Sequence, residues 1–433
     1  MSESLIPQLP TGPEEPARAA PTGWKTDVMQ KRIRARYAKE RRFRMWGLAA
    51  VVGSASFLAF LLVTMLWQGI GGFQRAEIAL PIDFKAAALE VTPEQLRGKG
   101  ADLALAGAGL NDVVADAAVA AFGPDGADYI SDSAWVAVRD ELKARPELLQ
   151  GRASIDVPAS SPIALAAKGD GNDPAVTKVA VRLRDEGTLT QGFNIDFLTG
   201  SDATDPTGVG IWGALKGSLL TMLVTLLIAF PIGVFSAIYL EEYAPRNRWT
   251  DLIEVSINNL AAVPSIIFGL LGLAVFLNFL HLPRSAPLVG GMTLALMIMP
   301  VIVIAGRNAI KAVPPSIRDA ALGIGASRIQ VVFHHVLPLA LPGILTGTII
   351  GMARALGETA PLLLIGMRAF IVTPPGGVFE PATVLPVQIF LWSDQVSRGF
   401  VEKTSAAIIV LLIFLLAMNA IAIYLRNRFE TRW

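Results

Sequence analysis

Long apolar runs recur along the chain, and the polar stretches between them are mostly short. A helix needs about 20 mostly apolar residues to cross the roughly 30 Å hydrocarbon core of a bilayer. Each apolar run is long enough, so the pattern predicts an all-α polytopic membrane protein with six transmembrane helices. The predicted spans are approximately residues 45–67, 211–239, 252–280, 288–306, 339–365 and 404–425.

The polar stretch between the first and second runs is much longer than the others. Residues 73–208 hold short alternating or helical patches with Gly, Asp and Pro between them, as in a small soluble mixed α/β domain. Its carboxylates are scattered, which favours a solvated surface over a catalytic site. The predicted parts are a disordered to basic tail (1–44), a first transmembrane helix (45–72), an inserted extracytoplasmic domain (73–208) and a helical membrane domain (209–433).

A polar segment at 314–338 separates the fourth and fifth runs and predicts a pair of short helices. Two pairs of residues have the spacing of a helix N-terminal cap. A glycine between them is suited to end a helix in the left-handed conformation, and a final proline is expected to stop the second helix. These residues are Ser316 with Asp319, Gly325, Ser327 with Gln330, and Pro338. The pair is suited to transmit movement to the spans; an ordered connector is the alternative.

Basic residues fall on one side of the predicted membrane. A basic stretch precedes the first run, and counting the spans in turn places the other basic linkers on that same side. By the positive-inside rule this side is the cytoplasm, so both termini and residues 314–338 are predicted to be cytoplasmic. The first run lacks the short core and cleavage site of a signal peptide. The linker and tail residues are Arg246, Arg248, Arg307, Lys311, Arg318, Arg328, Arg426, Arg428 and Arg432.

Composition narrows the function classes further. The chain is 53% hydrophobic and only 17% charged, which is unlike a soluble protein. Its net charge of +1 gives no basic field for nucleic acid, and it has no cysteine for disulfides or thiolate metal sites. His334 and His335 are adjacent and have no third ligand near them in sequence, which argues against a metal site.

The fifth run combines small residues with a charge pair. Gly343, Gly347 and Gly351 are spaced by four and predict a groove for close helix packing. Arg354 and Glu358 are predicted to share one face near the middle of the membrane, where a charge costs about 2.5–3.5 kcal/mol. One interpretation is an anion pathway, because a guanidinium suits phosphate-like oxyanions. The other is a neutralising pair that only holds the helices together.

The chain contains no G-x-x-x-x-G-K-[ST] phosphate loop. The segment Gly323–Ser327 has the glycines but lacks the lysine. Any ATP hydrolysis is therefore expected to come from another chain, and this chain is predicted to be neither an enzyme nor a cofactor-binding protein.

The cytoplasmic segment resembles the EAA loop of ABC-importer permeases. The resemblance rests on Asp319, Ala320 and Ala321, followed after three intervening residues by Gly325. Nine more residues then lead to His335-Val336-Leu337-Pro338. Asp319 replaces the usual glutamate, and His335 stands where an aliphatic residue is usual. In that family the loop is the coupling helix that docks on an ATPase subunit. The resemblance therefore implies the type I ABC-importer permease fold.

Further motifs are similar to those of PstA-type permeases of phosphate importers, and the resemblance covers about residues 205–433. The motifs are Tyr239–Pro245, Asn258–Leu273 and Arg354–Leu363. The family implies a bacterial inner membrane, a PstC-type partner permease, an ATPase dimer that binds ATP and Mg, and a periplasmic phosphate-binding protein. It also implies that Arg354 matches an intramembrane arginine linked to transport.

Other functions remain open from the residues alone. A permease for sulfate or molybdate would need a similar arginine. A phosphate-sensing membrane protein would place an external domain after one span, as this chain does, but no output module follows. A secondary transporter would typically show an internal inverted repeat, and none is visible.

Overall fold

The computed structural model describes residues 26–87, 89–98, 100–368 and 370–429. The chain divides into two compact units, Met1–Thr64 and Met65–Trp433. Residues 1–25 of the predicted tail lie outside the described residues. The basic part of that tail is helical: α1 runs over Asp27–Ile70. Its Arg, Lys and Ala residues are strong helix formers, so the helix begins well before the apolar run.

The inserted domain is built on an antiparallel sheet with the strand order β2-β1-β3. Strand β1 is Gln74–Asp83, β2 is Arg152–Pro158 and β3 is Leu189–Phe193. Helices lie between and after the strands, together with single 3₁₀ turns. They are α2 (Phe84–Ala87), α3 (Pro93–Arg97), α4 (Ala101–Gly107), α5 (Leu110–Phe122), α6 (Ala134–Ala144), α7 (Ser161–Ala167), α8 (Pro174–Asp185) and α9 (Ile195–Thr199).

Alternating side chains of the central strand form the core of this domain. Ile78 and Leu80 are fully buried, and their register partners on β2 are Val157 and Ile155. Because successive strand residues point to opposite faces, this alternation turns one face of β1 towards the helices. The mixed α/β structure expected for residues 73–208 is present.

The inserted domain is attached to the helical domain by a polar and aromatic junction. Lys168, the residue that follows α7, forms a buried ion pair of 2.7 Å with Glu402 and donates a 2.6 Å hydrogen bond to the Gly71 carbonyl. Phe197 of α9 packs against the Trp392 ring at a centroid distance of 6.3 Å. A buried ion pair loses much of its stability when one partner is removed, so the junction constrains the position of the domain.

The helical domain follows as long apolar helices joined by short ones. They are α10 (Trp212–Ile238), α11 (Arg248–Ala261), α12 (Ser265–Leu271), α13 (Pro287–Lys311), α14 (Pro315–Gly323), α15 (Arg328–Gln330), α16 (Leu337–Gly357), α17 (Ala360–Leu364), α18 (Leu385–Ser393) and α19 (Gly399–Phe429). Wide π-helical turns extend α10, α12 and α15 over Tyr239–Tyr243, Gly272–Phe279 and Val331–Val336.

Within the described residues, single helices that are long and apolar enough to cross a membrane correspond to five of the predicted spans. They lie in Asp27–Phe73, Trp212–Tyr243, Pro287–Lys311, Arg328–Gly357 and Gly399–Arg428. Two bent helix pairs also pass that test when each pair is taken together. The first comprises α4 and α5 of the inserted domain, where α5 packs on β1. The second comprises α11 and the extended α12.

The predicted span at 252–280 is a bent pair of helices in the structure. The chain bends by 104° between Arg248–Ala261 and Ser265–Phe279. Pro264 lies at the break, where it lacks an N–H for a continuous helix and disfavours helical backbone at the residue before it. The predicted span at 339–365 is also interrupted: α16 ends at Gly357, and α17 begins at Ala360.

Helix α13 lies between α10 and α16, and it approaches α16 closely. A Cβ atom added to Gly343 would lie 2.7 Å from the Ala309 Cβ, and one added to Gly347 would overlap the Ala305 Cβ. At Gly351 the nearest atom, the Ile298 Cβ, would lie 3.7 Å away, which is an ordinary contact. The small residues thus set the separation of the two helices along the first part of α16.

We expect Gly347→Ala to lower thermal stability relative to Gly351→Ala. Both changes raise helix propensity similarly, but only the first forces α13 and α16 apart, at a cost of about 1–3 kcal/mol. Thermal unfolding of the two purified variants in the same detergent measures the difference. Equal midpoints would show that the contact with Ala305 does not limit the packing.

Candidate functional site

Helix α14 opens the polar segment at 314–338, and its start differs from the prediction. Pro314 is the residue before the first turn, and no side chain caps the helix there. Ser316 lies inside the first turn, so the predicted Ser316–Asp319 cap is wrong. Pro315 at the first helical position explains the difference, because its fixed φ suits a helix start and it has no N–H to satisfy.

The turn after α14 has the geometry that the sequence indicates. Gly325 has φ of +91°, its N–H bonds the Leu322 carbonyl at 2.9 Å, and the Ala326 N–H bonds the Ala321 carbonyl at 3.1 Å. These two bonds form a Schellman motif, which requires a left-handed residue at its centre. The chain therefore leaves α14 in one defined direction.

The predicted capping box that follows is present. The Ser327 N–H donates to Gln330 Oε1 at 2.9 Å, and the Gln330 N–H donates to Ser327 Oγ at 3.4 Å. The sequence predicts that this helix stops at Pro338, and that prediction is wrong. The helix runs on to Gly357. The π-helical turn Val331–Val336 precedes Pro338, and a locally widened helix accommodates a residue that donates no backbone hydrogen bond.

The outer face of this segment is accessible. Asp319, Ala320, Gly325 and Ser327 are exposed, whereas Ala321 is buried in the helical core. Large apolar side chains are also exposed beside them, namely Leu322, Ile324 and Ile329. Leu337, half-buried, and Pro338, exposed, lie at the start of α16. An exposed apolar tip on a structured helix pair is suited to dock on another protein.

A network of ion pairs lies behind this surface. Arg307 Nε lies 2.5 Å from Glu241 Oε1, and Arg307 Nη2 lies 2.7 Å from Glu254 Oε2. Arg318 of α14 bonds Glu242 at 2.7 Å. In the sequence, Glu241 and Glu242 stand out only as part of the Tyr239–Pro245 motif. The position of these two carboxylates at the end of a span, among basic linkers, was the sequence signal that could have indicated ion-pair partners.

The predicted charge pair lies towards the other end of α16. Arg354 is in the last helical turn, while Glu358 lies beyond the helix in extended backbone. Arg354 Nε and Glu358 Oε1 are 3.6 Å apart, an ion-pair distance that is too long for a good hydrogen bond. Pro338 and Arg354 are separated along α16 by about 24 Å, from a rise of 1.5 Å per residue. The docking surface and the charge pair are therefore at opposite ends of one helix.

Arg354 faces away from the packed core. Its side chain is 50% exposed, and it shares a helix face with Ile350, which is also exposed. Thr348 and Met352, on the far side of α16, are buried. An arginine on the outside of a membrane helix is costly against lipid. This face is consequently suited to a water-filled path or a partner subunit.

Among the described residues, no group of three or more His, Asp or Glu side chains could hold a metal ion. His334 is exposed and His335 is half-buried, both on the π-helical turn.

Two family descriptions match the chain. Residues 229–433 match the family described as binding-protein-dependent transport system inner membrane component. Residues 30–175 match a domain of unknown function, DUF3333. The second match includes much of α1 and most of the inserted domain.

Curated relatives match the helical domain. A probable ABC transporter permease protein, YqgI of Bacillus subtilis, is 33% identical over 215 residues, which are 47% of this chain and 72% of that protein. The phosphate transport system permease protein PstA of Haemophilus influenzae is 30% identical over 53% of this chain and 82% of its own length. PstA 1 of Mycobacterium tuberculosis is 34% identical, but the match covers only about half (51%) of it and 36% of this chain.

Solved structures resemble the chain weakly. The inward-facing MetNI methionine ABC transporter matches with a TM-score of 0.40 at 18% identity. The match covers 51% of this chain and 98% of the matched MetNI chain. A bacterial ABC transporter for alginate import has a TM-score of 0.38 at 19% identity over 50% of this chain and 79% of its own.

We expect Gly325→Ala to loosen the turn, whereas Gly323→Ala should leave it intact. Both positions have open space around them, but only Gly325 has a left-handed backbone, which costs a residue with a Cβ about 1–2 kcal/mol. Hydrogen exchange of the Ala326 amide, which bonds across the turn, measures the effect. Equal protection in the two variants would contradict a conformational role for Gly325.

Proposed function

The chain belongs to the PstA-type permeases of binding-protein-dependent ABC transport systems, and we propose that it is the subunit that carries inorganic phosphate across the bacterial inner membrane. The phosphate cargo is supported by relatives named as phosphate transport permeases. The predicted helical permease class holds for residues 209–429, with the two span corrections given above. The chain is a multi-pass membrane protein and a transporter subunit, not an enzyme in its own right.

The observation that carries the proposal is the position of Arg354. It is half-exposed on a membrane helix, and Glu358 lies close enough to hold its guanidinium without a short hydrogen bond. A planar guanidinium donates in pairs to phosphate oxygens. A loosely held Arg354 can therefore exchange its carboxylate neighbour for a passing oxyanion at low cost.

The same exposed face calls for a second membrane subunit. A PstC-type permease packed there would cover Ile350 and enclose Arg354 in a shared path away from lipid. The remaining lipid-facing apolar surface of both subunits would contact the membrane. No nucleic acid has a role in this arrangement.

Energy would come from a dimer of ATP-binding subunits, which would hold ATP and Mg. The exposed tip of α14 and α15, with Asp319, Ala320 and Gly325 among its residues, is the proposed docking surface. Movement there would reach α16 directly, because the helix is continuous from Arg328 to Gly357. Arg354 would then be exposed in turn to the two sides of the membrane.

The proposed orientation follows from charge. The basic linkers and the docking surface would be cytoplasmic, with both termini on that side. The inserted domain would then lie in the periplasm, on the side from which a phosphate-binding protein delivers its ligand.

We expect Arg354→Ala to reduce ATP-dependent phosphate uptake by about 10- to 100-fold, equivalent to the loss of a charge-assisted hydrogen bond of ~1.5–3 kcal/mol. Uptake is measured in proteoliposomes that contain the complete transporter and binding protein. Arg354→Lys should retain part of the activity, because it keeps the charge without the planar fork. Arg284→Ala, a change at an exposed loop arginine, serves as the control. Unimpaired uptake by Arg354→Ala would remove this residue from the transport path.

The cargo itself is tested by competition in the same proteoliposomes. Excess sulfate or molybdate should leave phosphate uptake almost unchanged if phosphate is the transported anion. Strong competition, with direct uptake of labelled sulfate, would identify a permease for another oxyanion.

A further inference from the structure

The ion pairs at the ends of α10 and α13 lie beside the docking helix α14 and outside the proposed phosphate path. We propose that Arg318 and Glu242 form a joint that passes the movement of α14 to α10 and α13. This inference rests on the proposed function, because it assigns a route for ATPase coupling. Both residues are positioning residues, since they act through helices and not on the transported anion.

Arg318 binds two other helices at once. Its Nε and Nη2 atoms lie 3.0 and 2.7 Å from Glu242 Oε1 in the turn that ends α10. Its Nη1 and Nη2 atoms also donate to the carbonyls of Val313 and Ile310, at 2.7 and 3.0 Å, at the C-terminal end of α13. One side chain of α14 therefore connects it to both long helices.

The other end of this joint is equally well held. Glu241, adjacent to Glu242, pairs with Arg307 and, at 3.4 Å, with Lys311, both on α13. Arg307 also pairs with Glu254 of α11. The turn after α10 is thereby fixed to α13, so a pull on Glu242 reaches α10, α11 and α13 together.

Burial makes these contacts stiff. The Arg318 side chain is 22% exposed and the Glu242 side chain only 13%, so solvent screens their attraction weakly. Breaking such a pair leaves a charge in a poorly hydrated place, which opposes separation of the helices. A planar guanidinium can donate to all three acceptors from a single position, and a lysine ammonium cannot reproduce that geometry.

The joint complements the direct connection between α14 and α16. Forward in sequence, α14 leads to α16 through the Gly325 turn. Arg318 also connects α14 to the preceding long helix α13, which packs on α16 through Gly343 and Gly347. With both connections intact, α13 and α16 move with α14 as one body. Without the Arg318 connection, only residues 312–314 would join α14 to α13, and α14 could pivot about them while α10 and α13 stay in place.

The test compares transport with ATP hydrolysis in the complete reconstituted complex. In Arg318→Gln and Glu242→Gln we expect the ATPase subunits to remain bound and to hydrolyse ATP, while phosphate imported per ATP falls by about tenfold. Arg318→Lys should be intermediate. Arg246→Gln removes an exposed positive charge near the same turn and should keep the ratio within about twofold of the parent protein.

Two results would overturn the joint. One is an unchanged ratio of phosphate to ATP in both glutamine variants. The other is a loss of uptake in Arg318→Gln, Glu242→Gln and Arg318→Lys that is no larger than the loss of assembled complex. That result would mean that the contacts serve folding or assembly alone.

A second measurement separates the joint from the identity of the cargo. The chain has no cysteine, so Gly323→Cys on α14 and Leu219→Cys on α10 can carry a pair of spin labels. If ATP binding moves α14 and α10 together, adding Arg318→Gln should alter the ATP-induced change in their separation. An identical change with and without Arg318 would contradict the joint, whatever anion is transported. Because the joint holds α14 and α10 together, a large ATP-induced change in their separation in the labelled complex that retains Arg318 would also contradict it.

Discussion

The high cost of a charge outside water is the constraint on which the arrangement of this protein depends. At one end of the helical domain, Glu241 and Glu242 face Arg307 and Arg318, and the low exposure of these charges ties the helix ends together. Further along α16, Arg354 has only a distant carboxylate and an exposed face. The balanced network stiffens the structure, whereas the half-exposed Arg354 is the group proposed to meet the transported anion.

Helix α16 connects the docking surface to Arg354. A transporter driven from outside the membrane needs a rigid element between the driven surface and the binding group, because a flexible connection would absorb the movement. The helix from Arg328 to Gly357 is continuous, and glycines bring it against α13. Gly325 then sets the direction in which the driven helix joins it.

A buried ion pair also attaches the inserted domain to the helical domain. The buried Lys168–Glu402 pair and the packing of Phe197 against Trp392 attach it to the elements around α19. Its α/β nature was readable from alternating patches between turn residues, because strand and helix periods differ. Its attachment was not, since Lys168 and Glu402 are 234 positions apart and each looks like an ordinary surface residue in sequence.

The sequence by itself determined the apolar segments, the capping box at Ser327, the left-handed turn at Gly325 and the family of the helical domain, because these depend on local composition and spacing. Only the tertiary structure decided how sharply the chain bends at Pro264, that Pro338 does not end a helix, and that Arg318 meets Glu242. A proline in an apolar run is compatible with a kink, a break or a helix start, and packing selects among them. Charge partners on different helices are likewise chosen by the fold, so no spacing rule along the chain could have identified the joint beside the docking helix.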